Sequence, residues 1–181
     1  MSLIAASQLH CGAEVTEREI KQHIGKAPRR TNRVTLLSLL ATQPLQHLLS
    51  SSCGLYVATV YPDEKNMREL LEAVCIEKTP PKPFQFVNSV SNSVGFYLAK
   101  ELQLEGPNLF IGSNNNVWSN LTMLANLDLD QSLEQALLIN CCNLAEAWVE
   151  VLLLDGPLSG IETSSFELLA QQTANFSKVS I

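Results

Sequence analysis

The stretch from Gly106 to Trp118 (GPNLFIGSNNNVW) constrains the fold of this chain more than any other. It opens on a Gly-Pro turn signal, continues with a short apolar run at Asn108 to Ile111 that fits a buried strand, and then bends through small polar residues. An apolar helical pattern begins at Val117. We therefore predict a strand, a tight bend and a helix start, which together present one side chain at the tip of a sheet.

The residues at this tip are Asn114, Asn115 and Asn116. An enzyme of this shape would carry Cys or Ser there, because the adjacent helix N-terminus stabilises a nucleophile's anion. A carboxamide has no readily ionisable proton, so the site has the shape for covalent chemistry and lacks the reacting group. The alternative is a simple polar turn, since Asn tolerates left-handed backbone and caps helices.

Composition narrows the class of protein. The chain has 181 residues, which fits one domain, and it is 46% hydrophobic and only 17% charged. A large core with few surface charges is typical of a subunit with a buried partner face, although a monomer with an ordinary core remains an alternative. The net charge of −6 argues against nucleic-acid binding.

No motif for a metal or a cofactor is present in the sequence. His10, His23 and His47 lie in the first third and form no pair at metal-ligand spacing. The five cysteines include no CxxC and are an odd number, so we expect reduced thiols in a cytoplasmic protein. No apolar run approaches 18 residues and no leader pattern opens the chain, so we expect no membrane association.

Apolar runs predict the strands. Five are found, at Ser2 to Ser7, Gly54 to Val60, Asn108 to Ile111, Ala136 to Cys141, and Ala147 to Leu154. The last two are joined by only a few residues, which permits only antiparallel neighbours. We predict an α/β fold with a five-stranded mixed sheet, four strands parallel and the last a reversed edge strand, with helices on both faces.

The predicted domain spans residues 1–155, and residues 156–181 form a partly helical tail. Thr31 and Asn32 offer a cap for the first long helix, Pro62 and Asp63 open another, and a proline run from Thr79 to Pro83 stops it. A further helix is predicted from Val90 to Leu102, with small or polar residues at its start that suit close packing against another backbone.

Three segments resemble the first half of β-ketoacyl synthases, which have the thiolase-like fold. They are RTNRVTLLSLLA (Arg30 to Ala41), GLYVATVYPDEKN (Gly54 to Asn66) and FVNSVSNSVGFYLAKELQLEGPNLFIGSNNN (Phe86 to Asn116). The resemblance implies that the catalytic Cys of the family falls on Asn115, so this chain cannot form the acyl thioester. It also implies that the second half, with its two catalytic histidines, is missing, and that the link before the last strand is shortened.

An inactive synthase homologue of this kind has a known use as the chain length factor of type II polyketide systems. The resemblance therefore implies a noncatalytic subunit, without cofactor, in a heterodimer with a catalytic β-ketoacyl synthase of a type II polyketide, polyene or fatty-acid-like pathway. An acyl carrier protein would be engaged only through that partner. The implied partner interface is Asn108, Leu109, Phe110 and Ile111. The implied residues lining or gating the acyl tunnel are Phe84, Phe86, Val87, Val90 and Val94.

Three alternatives remain open from the sequence. A small acyl-transfer or hydrolytic enzyme could use the free thiol of Cys141 or Cys142 at the end of a strand. A self-associating scaffold could pair the same edge strand with its own copy. Phe84, Phe86 and Val87 could simply be core residues that anchor the proline connector.

Overall fold

The computed structural model describes residues 2–29, 31–60, 64–112, 115–144, 146–159 and 163–181. The described residues form one sheet and seven α-helices. The strands are β1 (Leu3–Cys11), β2 (Gly54–Ala58), β3 (Asn108–Ile111), β4 (Ala136–Asn143), β5 (Ala147–Leu154) and β6 (Phe176–Ser180). The helices are α1 (Glu17–Ile24), α2 (Arg33–Thr42), α3 (Glu64–Leu71), α4 (Pro83–Ser89), α5 (Ser93–Leu102), α6 (Val117–Leu129) and α7 (Phe166–Ala170).

The sheet has the order β3-β2-β4-β5-β1-β6. β2 runs parallel to β3 and β4, β6 runs parallel to β1, and β5 is antiparallel to both of its neighbours. The predicted α/β class, with four parallel strands and a reversed last strand among β1 to β5, is confirmed.

Two details of the prediction are wrong. The sheet has six strands rather than five, because the predicted tail contributes β6 beside β1 as well as the short helix α7. β5 is an interior strand and not an edge, since β1 pairs along it from Leu3↔Leu154 to Cys11↔Ala147. The sequence of β6, FSKVS, holds only two large apolar residues, so periodicity does not reveal it.

The core has two layers, one on each face of the sheet. On the first face α1, α2 and α5 pack against alternate strand residues such as Leu9, Val57 and Ile139. On the second face α6 and α7 cover Tyr56, Leu138 and the remaining inward residues. The alternation follows the two-residue period of a strand and explains why β4 and β5 are apolar along most of their length.

The helix boundaries follow local signals. The predicted cap of α2 is confirmed, because the Oδ1 atom of Asn32 accepts the backbone N–H of Thr35 at 2.9 Å. The predicted helix from Val90 is wrong at its start. Residues 83–89 form α4, Val90 is extended, and α5 begins only at Ser93. Pro62 and Asp63 lie outside the described residues.

No helix in the described part of the chain is long and apolar enough to cross a membrane.

Candidate functional site

Strand β3 is one edge of the sheet. It bonds to β2 in register from Leu55↔Asn108 to Ala58↔Ile111, and no other described strand pairs with its outer side. Leu109 is 40% exposed, while Asn108, Phe110 and Ile111 are half-buried. An edge strand presents unpaired backbone N–H and C=O groups, and this one carries no charge and no proline to discourage pairing. It is therefore a template for an added strand.

Two glycines fix the position of this edge. A Cβ atom on Gly106 would lie 2.5 Å from the carbonyl oxygen of Cys53 and 2.6 Å from that of Ser52, so backbone approaches backbone directly before β3. A Cβ atom on Gly95, in α5, would collide with the Oδ1 atoms of Asn92 and Asn108. The small residues predicted to permit close packing at the start of α5 do so against the first residue of β3.

A helical excursion, residues 64–90, is connected to this edge through α5, which packs against both β3 and α4. It comprises α3, a π-helical turn at Glu72–Ile76, the proline connector and α4, and none of the residues in these three helical segments is buried. Half of the large hydrophobic residues that the described chain exposes lie in it: Met67, Leu71, Val74, Ile76, Phe84, Phe86, Val87 and Val90. Ile76 and Phe86 are exposed by 75% and 62%. Such clustering marks an interaction surface.

The structure brings together four of the five residues predicted to line or gate a tunnel. Phe84, Phe86 and Val87 are exposed on α4, and Val90 is exposed directly after it. They are not core residues of this chain. Val94, in contrast, is fully buried in the first core layer beneath α5, so it can shape a lining only by setting the position of that helix.

The sequence did not predict that α3 and the π-helical turn contribute to the exposed apolar surface of the excursion. Leu71 and Val74 lie in the helix predicted after Pro62 and Asp63, and both are exposed together with Met67 and Ile76. An apolar stripe at helical spacing predicts which residues share a face, but it does not tell whether the covering surface belongs to the same chain. The proline run from Thr79 to Pro83, which separates these helical turns from α4, was the sequence signal that sets this segment apart.

The tip after β3 has the predicted strand, bend and helix order. Asn114 lies outside the described residues, Asn115 is exposed, and α6 begins at Val117. Asn116 has φ 52° and ψ 34°, the left-handed conformation that Asn tolerates, and its carbonyl accepts the N–H of Asn120 at 2.9 Å. Asn115 directly precedes this N-cap residue, and its backbone carbonyl accepts the side-chain amide of Asn120 at 3.4 Å.

The thiols do not supply a nucleophile at this tip. Cys141 is buried, its Sγ atom donates to the carbonyl of Ala58 at 3.5 Å, and burial raises the pKa of the thiol to about 12. Such a thiol is inert at neutral pH. Cys142 is half-buried in β4, opposite Trp148. Within the described residues no group of three His, Cys, Asp or Glu side chains could hold a metal ion.

Two solved structures share the architecture. A chain of the ketosynthase (ApeO) in complex with its chain length factor (ApeC) from Xenorhabdus doucetiae matches with a TM-score of 0.66 at 12% identity, over 88% of this chain and 81% of that chain. A chain of the ishigamide ketosynthase/chain length factor matches with a TM-score of 0.64 at 15% identity, over 78% of this chain and 48% of that chain.

The chain has the ketosynthase fold. This confirms, at the level of fold, the resemblance seen in residues 86–116. The chain spans about half of the ishigamide protein chain that it matches and most of the matched chain from the Xenorhabdus complex. No protein-family model and no curated protein matches the sequence. Along the sequence, the excursion comes first, followed by α5, the edge strand β3 and then the asparagine tip.

Proposed function

We propose that this chain is a noncatalytic, chain-length-factor-like subunit that pairs with a catalytic β-ketoacyl synthase and completes an acyl tunnel at their interface. The pathway is of the type II polyketide kind, polyene synthesis included, or a fatty-acid-like one. The observation that carries the proposal is the uncovered edge strand β3 together with an excursion with eight exposed large hydrophobic residues.

The edge explains why a partner is needed. A strand added antiparallel to β3 would satisfy its outer backbone groups and cover Leu109. The excursion would then be buried in the same interface, which removes the cost of exposing Phe86 and Ile76 to water. The partner that fits a continuous apolar surface of this kind is one with a matching sheet edge, as a full-length synthase of the same fold has.

The noncatalytic role follows from the tip. Condensation starts with an acyl thioester on a thiolate, and Asn115 cannot form one. The carboxamide keeps a polar group at the helix N-terminus without the reactivity. The synthase partner therefore carries the growing acyl group. The present subunit contributes part of the tunnel wall and no nucleophile.

The wall is formed by α4. Phe84, Phe86 and Val87 project from one short helix that lies on α3 and α5, so their bulk sets how far an acyl chain extends across the interface. The net charge of −6 leaves the acidic carrier protein to dock on the partner.

The decisive experiment is co-expression with a full-length synthase, purification through a tag on this chain, and intact mass of the material obtained. We expect a stoichiometric complex. Leu109→Lys places a charge on the edge and should remove the synthase from the purified material. Leu168→Lys is the matched control, because Leu168 has 39% exposure against 40% for Leu109 but lies on α7. A soluble chain that emerges alone, or equal retention by both variants, would refute the proposal.

A self-associating scaffold is distinguished in the same experiment. A stable homodimer of the purified chain that Leu109→Lys dissociates, without any synthase bound, would assign the edge to a second copy. A normal product from the synthase alone would equally contradict the tunnel role, whereas altered product length in Phe84→Ala or Phe86→Ala would support it.

A further inference from the structure

A row of polar side chains crosses the second face of the sheet on its middle strands, β4, β5 and β1. Gln8 in β1, Glu150 in β5 and Asn140 in β4 are cross-strand neighbours in register. The row on one side of them, Ala6, Leu152 and Leu138, is apolar and belongs to the core beneath α6 and α7. A carboxyl group in such a position needs hydrogen-bond donors or a proton.

Neutral donors surround the carboxyl group of Glu150. The indole Nε1–H of Trp118 donates to Oε2 at 3.1 Å, and the amide of Asn140 donates to the same oxygen at 3.5 Å. The amide of Gln8 donates to Oε1 at 3.5 Å. Neither of the two ion pairs found in the described part of the chain involves Glu150.

The charged and titratable groups around this row are few. Glu167 faces it from α7, and its charge opposes ionisation of Glu150. Lys178 lies on β6 in register with Gln8, on the far side of that amide from Glu150. His10 in β1 and Cys142 in β4 occupy the next pair of positions on the same face, and on α6 Asp128 accepts the hydroxyl of Tyr56.

Gln8 lies between the half-buried carboxyl group of Glu150 and an open groove. Besides its bond to Glu150, it lines an open groove of about 530 Å³ whose walls include Phe166, Glu167 and Lys178. A primary amide can present either its NH₂ or its carbonyl oxygen, so one half-turn exchanges donor for acceptor.

We propose that Glu150 is a proton-binding site and that its protonation reverses the amide of Gln8 and thereby the hydrogen-bonding character of the groove. A proton from solvent adds to Oε1, the new O–H donates to the carbonyl oxygen of Gln8, and the NH₂ of Gln8 then turns towards the groove. Oε2 keeps its acceptor role for Trp118 in both states, so α6 stays anchored.

Electrostatics supports this assignment. Burial, partly offset by the hydrogen bond from Trp118, raises the pKa of Glu150 from 4.5 to about 7. Both protonation states are therefore populated near neutral pH. The proposal does not depend on the partner synthase, because Gln8, Asn140 and Glu150 lie on β1, β4 and β5 and not on the β3 edge.

The test is carbon NMR of the full chain labelled at the side-chain carboxyl of glutamate, followed over pH. We expect one signal with a midpoint near 7 that is absent in Glu150→Gln, and we expect the side-chain NH₂ signals of Gln8 to shift with the same midpoint. A Glu150 signal with a midpoint near 4.5 would overturn the proposal. So would Gln8 signals that do not follow the titration.

Two further variants distinguish coupling between Glu150 and Gln8 from a general loss of packing. Gln8→Leu removes one donor to the carboxylate and should raise the midpoint of Glu150. Gln171→Leu, a residue that lines the same groove without a bond to Glu150, should leave it unchanged. If Glu150→Gln does not fold, the indole N–H signal of Trp118 identifies the titration, and its failure to shift would count equally against the proposal.

Discussion

The two edges of the sheet are built differently. β3 presents Leu109 and carries no charge, and the exposed apolar excursion is connected to it through α5. β6 exposes Lys178 and Ser180. A lysine on an outer strand discourages pairing with another chain, whereas an uncharged apolar strand invites it. Phe176 on β6 is 39% exposed, close to the 40% of Leu109, so the two edges differ in the charge that β6 carries and not in apolar exposure alone.

The largest effect on stability should come from Gly106→Ala, which disturbs the β3 edge and not the β6 edge. The added Cβ atom would meet the carbonyl oxygens of Ser52 and Cys53, and backbone atoms cannot move aside cheaply. We expect a loss of about 2 to 4 kcal/mol in the free energy of unfolding, measured by urea denaturation. Gly112→Ala, at the other end of β3, has no atom within 4 Å of its Cβ position and should change little. Equal effects of both variants would contradict the close approach.

The second prediction concerns Glu150, in the polar row formed with Gln8 and Asn140. The pKa of Glu150 is higher in the folded chain, about 7, than its ordinary 4.5, so the folded state binds more protons than the unfolded state between these values. Stability must therefore fall as pH rises from 4.5 to 7 and then level off. Glu150→Gln removes this dependence. The free energy of unfolding of the variant minus that of the wild type should therefore increase by on the order of 2 to 3 kcal/mol between pH 4.5 and pH 8.

Denaturation of both proteins across this pH range measures that difference. The comparison between the two chains matters more than either curve alone, because all other groups titrate in both. A constant difference between them would show that Glu150 ionises normally.

The third effect concerns the excursion and distinguishes a partner surface from a loosely packed segment. Ile76→Ser and Phe86→Ser alter side chains that are 75% and 62% exposed, so the unfolding free energy should stay within about 0.5 kcal/mol. Affinity for the synthase should fall at least about tenfold, because large apolar side chains dominate such interfaces. Met123→Ser, at 57% exposure on α6, is the control. Binding can be followed by surface plasmon resonance, and loss in the control alone would invalidate the assignment.

The features that could be predicted from the sequence differ between these regions. The bounds of β3 and β5 and the cap at Asn32 could be predicted because strand period and capping chemistry are local signals. The place of β5 inside the sheet could not, since it depends on β1 returning from the other end of the chain. The environment of Glu150 could not be predicted either, because its three hydrogen-bond donors lie on α6, β4 and β1, which are distant in the sequence.

The smallest effect should come from reversing the character of the β6 edge. Lys178→Leu removes the charge whose Nζ atom lies 5.8 Å from the ring centre of Phe176, and leaves an apolar outer strand. We expect weak self-association, a shift of a few-fold in the dimerisation constant or less than about 1 kcal/mol, seen by sedimentation velocity and absent in Lys178→Arg. Retention of the synthase should be unaffected, because β6 and β3 lie at opposite ends of the sheet. If Lys178→Leu released the synthase as Leu109→Lys is expected to do, the two edges would share one partner and their difference would carry no functional meaning.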